Sequence, residues 1–122
     1  MAAKVVAVYG RHHGLFDEDA RRVWAQSPNP FRLPNLHVAE TTQQSMAINQ
    51  IENGAIIIAG SGMANGGRIQ HHLRYNLGRR NAHIVFVGYQ AEGTLGRRLV
   101  DGAQWVRIHG RDYRVNAQRH TV

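Results

Sequence analysis

Cysteine is absent from the 122-residue chain, so neither a disulfide framework nor a thiolate metal site is possible. Long apolar runs are missing too: no stretch approaches the roughly 20 residues that a membrane-spanning helix needs, and the N-terminal residues lack a secretory pattern. We therefore expect a cytoplasmic protein with no membrane partner. Proline occurs only three times, all within residues 27–35, which predicts one extended surface connection inside a single domain, 1–122.

Acidic residues and lysine are scarce. Eight Asp and Glu residues oppose fifteen Lys and Arg residues, which gives a formal net charge of +7, and fourteen of the fifteen cations are arginine. The planar guanidinium suits phosphate and carboxylate groups, so the arginine excess indicates a polyanionic partner. A basic surface that serves only solubility would explain the same charge.

The central part of the chain reads AIIIAGSGMANGGRIQHHLRYNL. Its isoleucine-rich start, residues 55–59, is typical of a strand buried on both faces of a parallel sheet. Ile69, Leu73 and Leu77 recur every four residues, which predicts a helix from Arg68 with one apolar stripe toward the sheet.

Residues 60–67, between this strand and this helix, contain four glycines. Glycine permits positive φ and lets the backbone approach a ligand closely. The loop also opens onto a helix N-terminus, where unpaired N–H groups favour an anion. The pattern therefore predicts a phosphate-binding turn.

The remaining patterns complete an alternation of strands and helices. Periodicity leaves residues 1–13 undecided between strand and helix, and Asp17 is a candidate N-cap. The further predictions are a strand at 36–40, a helix from a Thr41/Gln44 capping box to about Glu52 with Ala47, Ile48 and Ile51 inward, a strand at 82–87, a glycine-rich loop at 88–96, a helix carrying Leu95, Leu99 and Val100, and a β-hairpin around residues 109–112.

This order predicts an α/β fold: a three-layer α/β/α sandwich with a mostly parallel, Rossmann-like sheet and a C-terminal β-hairpin. In such sheets ligands lie beyond the carboxyl ends of the strands. The loops at 40–42, 60–67 and 88–96 should meet at that edge.

Several familiar sites fail at defined positions. A Rossmann fingerprint would need glycine where Asn65 stands, and a P-loop would need Lys-Ser/Thr where Arg68 and Ile69 stand. Ser61 lacks the Gly-x-Ser-x-Gly elbow of a serine hydrolase. The eight histidines are scattered, and no metal-binding histidine motif occurs, so we expect no metal and no cofactor in this chain.

The segments SGMANGGRIQHHL and VGYQAEGTLGRRLVDGA resemble the β-CASP region of the metallo-β-lactamase ribonucleases, a family of RNA-processing nucleases. The resemblance extends over nearly the whole chain, from MAAKVVAVYGRHHGLFDEDA to VRIHGRDYRVNAQRHT. It implies an RNA-binding lid domain inserted into a metallo-β-lactamase domain that binds two zinc ions and hydrolyses RNA phosphodiesters. That catalytic domain is missing from this sequence, so the chain should be inactive alone.

The expected partners are single-stranded RNA, the metallo-β-lactamase domain of the same parent chain and, through edge pairing of the hairpin, a second copy in a homodimer. The predicted RNA or phosphate contacts come from the two glycine-rich loops and the helix after the first one: Ser61, Gly62, Gly66, Gly67, Arg68, His71, His72, Tyr89, Gln90, Thr94 and Arg97. No catalytic residue is predicted.

Two readings from other classes remain open. A small-molecule phosphate enzyme would need a general acid or base at the sheet edge, where Glu40 and Glu92 are available. A non-catalytic dimerisation module would use only the hairpin edge. The histidines, Tyr89 and Arg97 could equally be solvated or packed residues without a ligand.

Overall fold

The computed structural model describes residues 2–27, 29–30 and 33–122. The chain divides into two compact units, residues 1–40 and residues 41–122. None of the described helices is both long enough and apolar enough to cross a bilayer. The described elements are α1 (Ala2–Arg11), a 3₁₀ turn (His13–Leu15), α2 (Glu18–Gln26), α3 (Thr42–Ile48), α4 (Arg68–Asn76), β1 (His83–Phe86), α5 (Leu95–Val100), β2 (Trp105–Ile108), β3 (Arg111–Arg114) and β4 (Gln118–Thr121).

The first unit is helical. Most of the stretch whose periodicity was undecided, Ala2–Arg11, forms α1. Helix α2 starts at the predicted N-cap, where Oδ1 of Asp17 accepts from the Ala20 amide at 2.8 Å. The ring of Phe16 lies 5.9 Å from that of Tyr9 and 5.4 Å from that of Trp24, so aromatic contacts join the end of α1 to α2.

The strand predicted at 36–40 is wrong. This segment has no ladder partner among the described residues, and Leu36 and Val38 are exposed. An apolar and polar alternation favours a strand only where a neighbouring strand supplies hydrogen bonds.

The core of the second unit is built on the predicted apolar stripe of α4. Leu73 and Leu77 are buried and Ile69 is partly buried, which confirms that part of the helix prediction. The chain folds back over the end of α4, where the carbonyl of Leu77 accepts from the amides of Asn116 and Ala117. The other buried members of this core are Ala64, Phe86, Leu95, Leu99, Val106, Ile108 and Val115.

Two small sheets complete this unit. β1 and β4 pair in parallel, with Val85 opposite His120, and β2 and β3 pair antiparallel, with Val106 opposite Tyr113. The second pair is the predicted C-terminal hairpin, closed by an Arg107 to Asp112 ion pair at 2.9 Å. The α/β class is confirmed. The three-layer sandwich stays a prediction.

The strand predicted at 55–59 is also wrong. These residues have no regular structure, and Ile56 and Ile58 are 93% and 90% exposed. A strand buried on both faces needs neighbours, and among the described residues the parallel sheet contains only β1 and β4.

Helix α3 differs from its prediction in length and in its inward face. The capping box of Thr41 and Gln44 is present, but the helix ends at Ile48, and Ala47 and Ile51 are exposed. The buried positions are instead the polar residues Ser45 and Asn49. The Ser45 hydroxyl and Oδ1 of Asn49 each bond to a histidine of α4, which gives these two buried oxygens partners.

Candidate nucleic-acid interface

The first glycine-rich loop, residues 60–67, is closed by its own backbone. The Ser61 amide donates to the Gly66 carbonyl at 3.3 Å, and the Ile69 amide of α4 donates to the Gly60 carbonyl at 3.1 Å. Gly67 has φ +73°, and a Cβ there would lie 2.6 Å from the Gly60 oxygen. Glycine is therefore required at position 67 by both conformation and space.

The loop presents most of the predicted phosphate contacts to solvent. Ser61, Gly62, Gly67 and Arg68 are exposed and Gly66 is half-buried. The amide of Ile69, however, already donates within the protein, so the start of α4 offers fewer N–H groups than the sequence pattern indicates. An anion here would depend on the loop itself and on Arg68.

The second glycine-rich loop, residues 88–96, lies directly against the first. Nε2 of Gln90 donates to the Gly62 carbonyl at 3.1 Å and to the Gly88 carbonyl at 3.0 Å. The bond to Gly62 confirms that these two loops converge. The approach of the third loop, at 40–42, stays a prediction. Gln90 is itself buried, so its contribution to the interface is to join the loops.

Two further bonds join the same loops, and sequence reasoning missed the residue that makes one of them. Oδ1 of Asn65 accepts from the Leu95 amide at 2.9 Å, and the Gly96 amide donates to the Met63 carbonyl at 3.0 Å. The sequence signal for this bond was the asparagine at position 65, where a Rossmann fingerprint would have glycine. Its side-chain oxygen can accept from an amide at the start of a helix.

Three predicted contacts of the second loop have different surroundings. Tyr89 is 75% exposed, next to Gln90, and can offer its ring to a ligand. Thr94 is buried and caps α5, since its Oγ1 accepts from the Arg97 amide at 3.1 Å. The Arg97 side chain donates to Asp101 at 2.8 Å, and this hydrogen bond raises the pKa of Arg97. Part of its charge is therefore already balanced.

The two predicted histidines are separated by the fold. His71 is exposed, with its ring 5.2 Å from that of His109. His72 is 4% exposed: its Nδ1 donates to Oδ1 of Asn49 at 3.0 Å, and the Ser45 hydroxyl donates to its Nε2 at 3.2 Å. Burial, followed by the charges of its neighbours, lowers the pKa of His72, so its ring is neutral near pH 7. His72 joins α3 to α4.

The sequence model of the Beta-Casp domain matches residues 1–99. Ribonuclease TTHA0252 of Thermus thermophilus is 39% identical over 122 residues, which are 100% of this chain and 28% of that protein. Transcription termination factor FttA of Methanosarcina mazei is 28% identical over 113 residues, 92% of this chain and 18% of that protein. FttA of Thermococcus kodakarensis is 34% identical over 106 residues, 83% of this chain and 16% of that protein.

This chain thus spans less than a third of the length of each of these relatives. The matched region contains both glycine-rich loops completely, so the joined loops lie within the part of the chain that defines the match. The chain belongs to the Beta-Casp domain family.

Proposed function

We propose that this Beta-Casp domain is the RNA-binding lid of a zinc-dependent ribonuclease of the cytoplasm, whose metallo-β-lactamase domain belongs to the same parent protein. Relatives named as a ribonuclease and as a transcription termination factor support an RNA-processing role. The net charge of +7 supports a polyanionic partner. The proposal depends chiefly on one observation, the hydrogen bond from Gln90 to the Gly62 carbonyl that joins the two glycine-rich loops. Ser61, the adjoining Arg68 and Tyr89 are all exposed.

These loops offer the two kinds of contact that single-stranded RNA uses. Ser61 and Arg68 are donors suited to phosphate oxygens, and Gly62 and Gly66 allow a backbone to come close to them. The exposed ring of Tyr89 offers a surface on which a base can stack. Gln90 joins the two loops and Thr94 caps α5, so we assign these two buried residues a positioning role.

The hydrolytic step belongs, in this proposal, to the metallo-β-lactamase domain with its two zinc ions. Over residues 2–27, 29–30 and 33–122, no group of three or more His, Asp or Glu side chains could hold a metal ion. Zinc does not fit this part of the chain, and we propose that the chain alone has no nuclease activity.

Fluorescence anisotropy with 5′-labelled single-stranded RNA tests the proposal. We expect Arg68→Ala to weaken RNA binding about tenfold, since a charge-assisted hydrogen bond contributes about 1.5–3 kcal/mol. The slope of log K against log salt should fall by about 0.7 for the lost phosphate contact. Arg80→Ala is the matched control, because Arg80 is an exposed arginine beyond the other end of α4.

Equal losses for Arg68→Ala and Arg80→Ala would mean that the chain binds RNA only through its general charge, which contradicts the loop assignment. Full competition by a sugar phosphate, with no dependence on RNA length, would favour a small-molecule enzyme instead. RNA cleavage by the chain alone, with added zinc and without a partner domain, would contradict the lid assignment.

A further inference from the structure

A groove of about 330 Å³ lies between α3 and α4 and is lined by residues of both helices. Arg68, which directly follows the first glycine-rich loop, lines this groove, but no residue of that loop does. Thr42 and Met46 of α3 form one wall, and Arg68, His71, Arg74 and Tyr75 of α4 form the other. Its volume lies at the lower end of the roughly 300–1,000 Å³ of small-ligand pockets, which suits one compact ligand.

The charge of this groove favours an anion. Arg68 and Arg74 both line it, and none of its lining residues is an Asp or Glu. Arg74 is held in place, because its Nε donates to the Tyr113 hydroxyl at 2.8 Å and its guanidinium lies 5.8 Å from the centre of that ring. A guanidinium bonded through Nε still has two amino groups to donate, and these suit a phosphate group.

The floor of the groove is rigid and uncharged. Ser45 and Asn49, which line it, are both bonded to the buried ring of His72. A further bond, from Nδ2 of Asn76 to the His72 carbonyl at 2.8 Å, fixes the same turn of α4. The spacing of the two helices is thus set before any ligand arrives, which reduces the entropy lost on binding.

The outer rim of the groove is apolar or aromatic. Met46 and Tyr75 are both more than half exposed, on opposite walls. An aromatic ring stacks on nucleobases, and a flexible thioether adapts to the second face of a flat ring. Guanidinium groups and a stacking surface in one small groove together match a nucleotide better than a bare phosphate or an aliphatic anion.

We propose that this groove binds a single nucleotide, with its phosphate on Arg68 and Arg74 and its base against Tyr75 and Met46. The nucleotide is either a free nucleoside monophosphate or one unit of an RNA strand. The assignment to one unit of an RNA strand rests on the function proposed above, whereas the assignment to a free monophosphate is independent of it.

NMR titration of the ¹⁵N-labelled 122-residue chain with adenosine 5′-monophosphate, adenosine and inorganic phosphate tests the proposal. Arg74→Ala should weaken binding of the monophosphate and of phosphate about tenfold, as expected for a lost charge-assisted hydrogen bond. Tyr75→Ala should weaken the monophosphate at least about fivefold and leave phosphate unchanged, because stacking involves only the base. Arg80→Ala should match the wild-type chain within about twofold, since its exposed charge lies outside the groove.

His71→Glu provides a second variant if Arg74→Ala fails to fold. His71 is exposed, so the added carboxylate should repel phosphate from the groove without removing the Arg74 to Tyr113 bond. Monophosphate binding that is unchanged by both Arg74→Ala and His71→Glu would overturn the proposal. Binding of adenosine as tight as that of its monophosphate would overturn the phosphate assignment.

Labelled RNA separates the two sources and the two proposals. Displacement of RNA by the monophosphate supports the groove as a subsite of the strand, whereas binding of both together supports a free nucleotide. If RNA binds with Arg68 dependence and no monophosphate binds, the groove proposal falls and the proposed function stands. If only the monophosphate binds, with Arg74 dependence, the groove stands and the RNA function falls.

Discussion

Replacing Gly67 by alanine should open the first glycine-rich loop. The residue has φ +73° and ψ −173°, a conformation in which a side chain costs about 1–3 kcal/mol. The new Cβ would lie 2.6 Å from the Gly60 oxygen, so that carbonyl must move. Its bond to the Ile69 amide, 3.1 Å long, would be lost at a further cost of about 1 kcal/mol. The expected loss in the free energy of unfolding is therefore about 2–4 kcal/mol.

Gly66 provides a matched control one position away. Its φ lies outside the left-handed region, and a Cβ there would meet no atom within 4 Å. Gly66→Ala should therefore leave the free energy of unfolding within about 1 kcal/mol of the wild-type value. Urea denaturation of the two variants compares these energies, and amide hydrogen exchange reports the Ile69 bond directly. Equal stabilities, with equally slow exchange at Ile69, would refute the reasoning.

Three further predictions concern the second unit. Leu77→Ala, at a fully buried position, should lower the free energy of unfolding by about 2–5 kcal/mol, whereas Ile56→Ala, at a site 93% exposed, should change it by less than about 0.5 kcal/mol in the same urea experiment. Because burial lowers the pKa of His72, the unfolded chain binds a proton at this residue more readily than the folded chain does. The free energy of unfolding should therefore fall as the pH drops below 6.5. His72→Gln should make this fall less steep than in the wild-type chain. Gln90→Ala should cost about 1–3 kcal/mol and speed amide exchange in the first glycine-rich loop, whereas an alanine at the exposed Gln104 should do neither.

The elements that the sequence predicted correctly depend on short-range chemistry. The Asp17 cap, the Thr41 capping box and the apolar stripe of α4 each involve residues within about two turns of a helix. The hairpin around His109 is equally local, since its strands are joined by a two-residue turn. All the residues that form each of these features lie in one segment of the chain, so the local sequence is enough to predict them.

The wrong predictions depend on distant partners. The apolar runs at 36–40 and 55–59 predict strands only if neighbours pair with them, and no ladder forms there among the described residues. β4 was not predicted as a separate strand, because its four residues are all exposed and its partner β1 lies more than 30 positions earlier. The polar inward face of α3 follows from a histidine 27 residues after Ser45.

The candidate interface shows the same division. Glycine content and the position of a helix start indicated the loop at 60–67, and Arg68 follows it directly. The bonds of Asn65 and Gln90 to the facing loop cross about 30 residues, so no local pattern indicates them. The burial of His72 and Thr94 also depends on such contacts.

The hydrogen bonds at the start of α5 have a consequence for where a negative charge can settle. The amides of Leu95, Gly96 and Arg97 donate to oxygens of Asn65, Met63 and Thr94 in turn. The positive end of this helix is therefore already neutralised by the protein's own oxygens, and it has little attraction left for a phosphate. The start of α4 is also partly occupied, because the Ile69 amide already donates to the Gly60 carbonyl. A negative charge on this surface would therefore settle by the side chain of Arg68 rather than at the end of a helix.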